Sequence, residues 1–129
     1  MKKVLFVCVH NAGRSQMAEA FFSRLAEGKA LALSAGTEPA SRVNPVVVGA
    51  MREVGIDISH QKPKLLTLEM LENVDRVITM GCGVEGVCPA SFVPTEDWEL
   101  EDPEDKPIEK VRQIRDEIKA KVDELVRTL

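Results

Sequence analysis

An apolar run near the N-terminus, followed by a break and a helical pattern, constrains the fold most. The run from Lys3 to Val9 is apolar and partly β-branched, as expected of a parallel strand buried on both faces. Asn11-Ala12-Gly13 then interrupts it. A helical pattern follows, with apolar positions at Met17, Phe21 and Leu25. A buried strand that leads directly into a helix indicates an α/β fold.

The rest of the chain continues this alternation of strands and helices. Strands are predicted over 30–35, 76–80 and 91–93, and helices over 45–54 and 67–71. Residues 97–106 are acidic and turn-like. A long helix begins at Pro107, and its apolar stripe consists of Ile108, Val111, Ile114, Ile118, Val122 and Leu125. The pattern predicts a single α/β domain over 1–129, with a four-stranded parallel sheet flanked by helices.

Composition narrows the classes of function. The net charge of −4 indicates no basic surface for nucleic acid. The chain has no Tyr and a single Trp, so it also lacks a set of aromatic side chains on which bases could stack. No stretch approaches the roughly 20 apolar residues of a membrane span, and the run ending at Val9 is too short for a signal peptide. We therefore expect a cytoplasmic protein without nucleic-acid or membrane partners. Its three cysteines, Cys8, Cys82 and Cys88, should rest as thiols there.

The segment from Cys8 to Ser15 lies at the first strand-to-helix turn, where ligands bind in parallel α/β sheets. A short loop entering a helix directs successive N–H groups at one point, and the helix dipole adds positive potential. Arg14 can bind two oxygens of a tetrahedral anion, and the same field favours the thiolate form of Cys8. The Ser15 hydroxyl can donate to that thiolate, and Asn11 tolerates the left-handed backbone of a tight loop.

The spacing of Cys8 and Arg14 is weak evidence by itself, because a cysteine followed by arginine at this distance arises readily by chance. Its position between a strand and a helix strengthens the prediction. The alternative is a buried Cys8 that serves as a small apolar side chain, with Arg14 in solvent.

Cys-x5-Arg-Ser after the first strand resembles the phosphate-binding loop of the low-molecular-weight tyrosine phosphatases. The longer string Val-His-Asn-Ala-Gly-Arg-Ser-Gln-Met-Ala-Glu is similar to the arsenate reductase branch of that family. Further matches are Ser34-Ala35-Gly36-Thr37, Cys82, Cys88-Pro89, Trp98 and Asp102-Pro103. The resemblance implies the family's four-stranded parallel sheet and a tetrahedral oxyanion, such as arsenate, as substrate. Its anion-binding residues would be Val9, His10, Asn11, Ala12, Gly13 and Arg14.

The resemblance also implies a general acid, Asp102, that protonates the departing oxygen. A carboxylic acid near the nucleophile suits this step. The residues themselves do not select it, because Asp97, Glu99, Glu101 and Asp105 lie close by in sequence and acidic side chains are mostly exposed.

Cys82 and Cys88 would carry the oxidising equivalents away from Cys8, by the same resemblance. Cys82 attacks Cys8, Cys88 then attacks Cys82, and a thioredoxin-like partner reduces the resulting disulfide. Three glycines between Met80 and Pro89 predict the freedom that successive thiol encounters need. Zinc is disfavoured, since two cysteines without a nearby histidine do not complete a four-ligand site. Two inert buried cysteines remain an alternative.

No cofactor is predicted, with a potassium ion as the one alternative. Asn11, Glu19 and Ser34 resemble three potassium ligands of some family reductases, but the family's aspartate in the 63–68 region is absent, with Thr67 nearby. The leading interpretation is a thioredoxin-coupled arsenate reductase. The alternatives are a phosphatase acting on phosphotyrosine or small aryl phosphates, and a non-catalytic oxyanion-binding or redox-sensing protein. The phosphatases of the family that this chain resembles carry tyrosines beside the acid, and this chain has none, which favours the reductase.

Overall fold

Four parallel strands form one sheet in the computed structural model, which describes residues 2–80 and 95–129. The strands in chain order are β1 (Lys2–Cys8), β2 (Ala30–Gly36), β3 (Arg76–Thr79) and β4 (Thr95–Asp97). The helices are α1 (Arg14–Leu25), α2 (Pro45–Glu53), α3 (Leu68–Glu72) and α4 (Ile108–Arg127). The spatial order β2-β1-β3-β4 places β1 in the interior of the sheet. The predicted four-stranded parallel sheet flanked by helices is therefore confirmed.

The interior position of β1 explains its uninterrupted apolar sequence. It pairs with β2 on one side and with β3 on the other, and Val4 to Cys8 are each at most 2% exposed. Phe6 points into the larger core, which contains the buried faces of α1, α2 and α4. Leu5 and Val7 point into a smaller core beside α3. Since both faces of the strand are covered, polar residues are excluded until the loop after Cys8.

Local sequence signals explain where the helices begin and end. Asn44 caps α2, because its side-chain oxygen accepts a hydrogen bond from the Val46 N–H at 2.9 Å. Gly55 follows that helix with φ +83°, in the left-handed region that favours glycine. The predicted stripe of α4 is buried from Val111 to Leu125. Among the described residues, no helix is both long and apolar enough to cross a membrane.

The predicted fourth strand requires a separate comment. The prediction placed it at 91–93, which lies outside the described residues. The fourth strand that the structure describes is Thr95–Asp97, where Thr95 is in register with Val77. The acidic segment that follows leads from the carboxyl end of this strand to α4, and it passes the end of β1 that bears Cys8.

Candidate active site

The loop between Cys8 and Arg14 joins the end of β1 to the start of α1. Its carbonyl groups are bound by the segment after β2. The Val9 carbonyl accepts the N–H of Glu38 at 2.8 Å, and the His10 carbonyl accepts that of Ala40 at 3.0 Å. The Ala12 carbonyl likewise accepts a backbone N–H from the residue that caps α2, at 2.8 Å. These bonds hold the carbonyl groups away from the space above Cys8.

The N–H groups of the same loop are differently placed. Within 2–80 and 95–129, no protein atom accepts a hydrogen bond from the N–H of His10, Ala12 or Gly13. A run of unpaired N–H groups at a helix N-terminus is a typical anion-binding arrangement. The geometry is thus compatible with the predicted oxyanion loop at His10, Ala12 and Gly13, whereas the N–H of Asn11 donates to Cys8 Sγ.

Asn11 organises the hydrogen bonds around Cys8. Its φ of +49° is in the left-handed region, as the sequence predicted for this position. Its N–H donates to Cys8 Sγ at 3.2 Å, and its Nδ2 donates to Ser15 Oγ at 2.7 Å. Ser15 Oγ lies 2.8 Å from Cys8 Sγ, and its own proton is free to be donated there. The Asn11 N–H therefore donates to the sulfur, and the Ser15 hydroxyl lies within hydrogen-bond distance of the same atom.

Two further residues hold the side chain of Asn11 in place by hydrogen bonds. The Asn11 Oδ1 atom accepts hydrogen bonds from Gln16 Nε2 at 3.1 Å and from the Lys64 N–H at 2.8 Å. Gln16 is 1% exposed and also donates to the Lys62 carbonyl at 3.2 Å. Sequence reasoning assigned no role to Gln16 or Lys64. In a sequence, a glutamine on the first turn of a helix only weakly indicates such a supporting role, and a backbone N–H does not indicate it at all.

Arg14 is 6% exposed and faces the acidic segment before α4. Its Nη1 donates to the Leu100 carbonyl at 3.1 Å, and its Nη2 lies 3.6 Å from Asp102 Oδ2. The Nε proton has no acceptor among the described residues and is available to an anion. The alternative in which Arg14 is solvated therefore does not describe this structure.

Asp102 lies beside the loop, whereas Asp97 does not. Both Asp102 and Cys8 line a cleft of about 710 Å³, whose described lining includes no Phe, Tyr or Trp side chain. Asp97 instead ends β4, where its Oδ1 accepts a hydrogen bond from the Thr79 hydroxyl. Glu104 and Asp105 also line the cleft, but Asp102 is the acid that lies against the loop arginine, 3.6 Å from Arg14 Nη2. The geometry favours Asp102 as the general acid.

His10 connects the loop to both walls of the cleft. Its Nδ1 lies 3.0 Å from the Glu38 carbonyl oxygen, and its Nε2 lies 3.9 Å from Glu104 Oε2. The Nδ1–H form donates to that carbonyl, so the imidazole links two polypeptide segments. This arrangement adds a side-chain contact to the backbone role that the sequence predicts for His10.

The potassium alternative can be tested against the contacts of its three candidate ligands. Asn11 Oδ1 already accepts two hydrogen bonds, and the Glu19 carboxylate lies 3.9 Å from the Lys64 ammonium. Only Ser34 presents a buried hydroxyl without a hydrogen-bond partner among the described residues. The three residues therefore do not fit a potassium site, and no step below depends on one.

Cys82 and Cys88 lie outside the described residues. The structure places Cys8 and its partners, and the two predicted relay cysteines remain predictions from sequence.

Comparisons with known proteins assign the family. The low molecular weight phosphotyrosine protein phosphatase family matches residues 3–129. A glutaredoxin arsenate reductase from Synechocystis is 43% identical, with 98% of this chain and 97% of that protein covered. An arsenate reductase from Staphylococcus epidermidis is 39% identical, with 95% and 93% covered.

Solved structures of these enzymes share the fold. An arsenate reductase in the phosphate-binding state has a TM-score of 0.87 at 42% identity, covering 99% of this chain and 98% of that one. A thioredoxin-dependent arsenate reductase from Corynebacterium glutamicum has a TM-score of 0.84 at 43% identity; it covers 99% of this chain, which spans 61% of that chain. A low-molecular-weight tyrosine phosphatase from T. tengcongensis has a TM-score of 0.84 at 28% identity, with both chains covered completely. This chain therefore belongs to the low molecular weight phosphotyrosine protein phosphatase family.

Proposed function

We propose that this chain reduces arsenate to arsenite, with Cys8 as the nucleophile. The observation that carries the proposal is the convergence of the Asn11 N–H and the Ser15 hydroxyl on Cys8 Sγ, beneath a loop of unpaired N–H groups. This geometry supports a nucleophile and an anion site at one place. The relatives that are about 40% identical over nearly the whole chain are named arsenate reductases, which supports arsenate as the anion.

The first step is nucleophilic attack on arsenic. Arsenate lies in the loop, held by backbone N–H groups and by Arg14. The Cys8 thiolate forms an S–As bond, and one As–O bond breaks as Asp102 transfers a proton to the departing oxygen, which leaves as water. Arsenic remains in the +5 state in this covalent adduct, so no electrons have yet been transferred.

Reduction occurs when a second thiol attacks. Cys82, as a thiolate, forms an S–S bond with Cys8, and the S–As bond breaks with its electron pair going to arsenic. Arsenite leaves, and two thiols have been oxidised to one disulfide. Cys88 then attacks Cys82 and forms the Cys82–Cys88 disulfide. The Cys8–Cys82 bond breaks, which restores the Cys8 thiolate. This relay rests on the sequence and on the family, since both cysteines lie outside the described residues.

A thioredoxin-like dithiol is proposed as the reductant of the Cys82–Cys88 disulfide. The Corynebacterium structure is described as thioredoxin-dependent, whereas the Synechocystis relative is named for glutaredoxin. The Cys82–Cys88 disulfide favours a dithiol reductant. The first thiol of such a reductant forms a mixed disulfide with the protein, and its second thiol then breaks that bond, so the mixed disulfide does not persist. We propose the cytoplasm as the site of action, since reducing systems of this type maintain thiols there.

Phosphatase activity is the second candidate, favoured by the family's description and by the loop that both activities share. In a phosphatase, water rather than a thiol would resolve the Cys8 adduct. The cleft favours a small inorganic oxyanion, because its described lining contains no Phe, Tyr or Trp ring to stack on a phosphotyrosine side chain.

The test is arsenate-dependent NADPH oxidation with thioredoxin and thioredoxin reductase, run beside a parallel assay with glutaredoxin and glutathione. Aryl phosphate hydrolysis is measured on the same protein. Cys8→Ser is the negative control for both activities, because a serine hydroxyl does not ionise at neutral pH. Turnover that persists in Cys8→Ser would reject Cys8 as the nucleophile.

Disulfide mapping separates reductase from phosphatase. Arsenate-treated protein is alkylated and analysed by mass spectrometry. Wild type should contain Cys82–Cys88, and Cys88→Ser should stall after a single turnover with Cys8 joined to Cys82. Cys82→Ser should end arsenate turnover and spare any aryl phosphate hydrolysis. If arsenate leaves all three thiols free while aryl phosphate is hydrolysed rapidly, the protein is a phosphatase.

A further inference from the structure

Gly13 and Pro103 pack directly against each other across the active-site cleft. A Cβ atom placed on Gly13 would lie 2.8 Å from Pro103 Cγ, 3.6 Å from Pro103 Cδ and 3.6 Å from Val47 Cγ2. The first separation is shorter than carbon atoms tolerate without movement. Gly13 has φ −145°, outside the left-handed region, so the missing side chain rather than a special φ distinguishes this position.

The atom that a Gly13 side chain would displace belongs to a ring, not to a flexible side chain. Pro103 is buried, and its ring is covalently part of the backbone that follows Asp102. Displacing the ring therefore displaces the peptide that carries the proposed acid. Val47, by contrast, is at ordinary van der Waals distance and would not need to move.

The neighbouring residue, Arg14, anchors the same acidic segment by polar contacts. It donates to the Leu100 carbonyl at 3.1 Å and lies 3.6 Å from Asp102 Oδ2. Asp102 Oδ1 in turn accepts the Glu104 N–H at 3.0 Å, which orients the carboxyl group within its own turn. Two consecutive loop residues thus hold the segment: Gly13 by contact with Pro103, and Arg14 by charge and hydrogen bonding.

We propose that Gly13 is a positioning residue for the general acid: its lack of a side chain lets Pro103 seat against the oxyanion loop, which sets the distance of Asp102 from the departing oxygen. The inference rests on the proposed role of Asp102. It assigns Gly13 a function through Pro103, separate from the backbone N–H that it offers to the anion.

The contact of Gly13 with Pro103 and the N–H that Gly13 offers to the anion predict different effects of Gly13→Ala. The added methyl keeps the backbone N–H, so anion binding should persist. The acid should be displaced, so proton transfer should slow. Misplacement of a catalytic group by about 1 Å can cost roughly 10²-fold in rate. We expect the first-turnover rate of arsenate reduction to fall by roughly 10- to 100-fold, with the phosphate inhibition constant unchanged.

The experiment compares wild type, Gly13→Ala, Pro103→Ala and the double variant. Gly49→Ala is the matched control, because a Cβ at Gly49 meets no atom within 4 Å. Each protein is assayed for first-turnover rate and for inhibition by inorganic phosphate. Urea unfolding of wild type, the two single variants at Gly13 and Pro103 and the double variant provides a double-mutant cycle in stability, which does not depend on enzymatic activity.

The steric contact predicts coupling in both measurements. In the Pro103→Ala background, Gly13→Ala should cost little rate and little stability, because the ring that the methyl meets is gone. Pro103→Ala alone should also slow the first turnover, since the acid has lost its support. Gly49→Ala should retain the wild-type rate.

Several outcomes would overturn the proposal. They are an unchanged first-turnover rate in Gly13→Ala, an additive effect in the double variant, or a raised phosphate inhibition constant, which would indicate a damaged oxyanion loop. If Gly13→Ala does not fold, Pro103→Ala decides, and a wild-type rate there refutes the positioning role.

Failure of the proposed function has a different signature. Wild type would then not reduce arsenate, although unfolding would still show coupling between Gly13 and Pro103. Under that outcome the acid step is measured with aryl phosphates. Phenyl phosphate, whose leaving group needs a proton, should be slowed by Gly13→Ala more than 2,4-dinitrophenyl phosphate, whose leaving group does not. Equal slowing of both esters would refute the positioning role.

Discussion

The side-chain amide of Asn11 donates to the Ser15 hydroxyl at 2.7 Å, and the same hydroxyl oxygen lies 2.8 Å from Cys8 Sγ. When Cys8 is a thiolate it has no proton to donate, so Ser15 Oγ is then the donor to the sulfur 2.8 Å away. Asn11 also donates its own N–H to the same sulfur. The nucleophile is therefore prepared by a short chain of hydrogen bonds whose far end is held by Gln16 and the backbone of Lys64.

Ser15→Ala should make Cys8 less reactive, because one of two hydrogen bonds to the thiolate is lost. A hydrogen bond to a charged group contributes about 1.5–3 kcal/mol. A less stabilised thiolate is also a stronger nucleophile, which offsets part of the loss, so the rate of alkylation near neutral pH should fall by roughly severalfold. Iodoacetamide kinetics in a Cys82→Ser, Cys88→Ser background isolates Cys8. Ser23→Ala, at an exposed site on α1, is the control. Equal alkylation rates for Ser15→Ala and wild type would remove Ser15 from the mechanism.

Asp102→Asn should slow the first turnover by roughly 10²–10⁴-fold, the range for loss of a general acid. Asp97→Asn should have a small effect, since that side chain accepts a hydrogen bond from Thr79 and an asparagine oxygen can still do so. Rapid-quench measurement of arsenite released per enzyme compares the two variants. A larger effect of Asp97→Asn would mean that the acid has been misassigned.

Arg14→Lys should weaken anion binding severely. The guanidinium holds the Leu100 carbonyl and still offers Nε to an anion, whereas an ammonium lacks the planar fork. Loss of one charge-assisted hydrogen bond predicts a rise of about tenfold or more in the phosphate inhibition constant. Arg24→Lys, near the opposite end of α1, controls for loss of an arginine. An unchanged inhibition constant in Arg14→Lys would contradict the ligand role.

Glu53 should make stability depend on pH at the α2–α4 contact. Arg112 donates to both carboxylate oxygens at 3.0 and 2.7 Å, and this hydrogen bonding, with a further contribution from Arg115, lowers the pKa of Glu53 from 4.5 to about 2. A depressed pKa stabilises the fold above pH 4.5, and the contribution is lost as pH falls toward 2. Wild type should thus exceed Glu53→Gln in unfolding free energy at neutral pH, with a shrinking difference below pH 4.5.

Urea unfolding at several pH values measures that difference. Glu27→Gln, a change at an exposed carboxylate, is the control. A difference between wild type and Glu53→Gln that stays constant from neutral pH to pH 2 would show that the ion pair is not its origin.

Arsenate reduction should proceed equally well in sodium and potassium salts of the same ionic strength. The Lys64 ammonium lies 3.9 Å from the Glu19 carboxylate, and the Asn11 oxygen is already engaged by two donors. Initial rates in the two chlorides provide the test. Lys64→Ala, which leaves Glu19 without its ion-pair partner, is the variant in which a cation effect should first emerge. A wild-type enzyme that requires potassium would contradict this reading of the contacts.

The features of this protein that depend on neighbouring residues can be predicted from its sequence. An apolar run from Lys3, a break at Asn11 and a helical pattern through Met17 are local features, and each predicts a local conformation. Gly55 after α2 is a further example, because its positive φ is a property of one residue in a helix-ending position. The family loop belongs here too, since Cys8 and Arg14 are joined by a single strand-to-helix turn.

The distant residues that meet that loop become known only from the folded chain. It brings Asp102 rather than Asp97 to Arg14, and it places the Lys64 ammonium 3.9 Å from the carboxylate of Glu19, one of the candidate potassium ligands. It also seats Pro103 on Gly13, a contact that no local pattern indicates. The physical reason is that such contacts depend on sheet order and on the path of the chain between strands. Periodicity and composition describe each element alone, so they leave these distances undetermined.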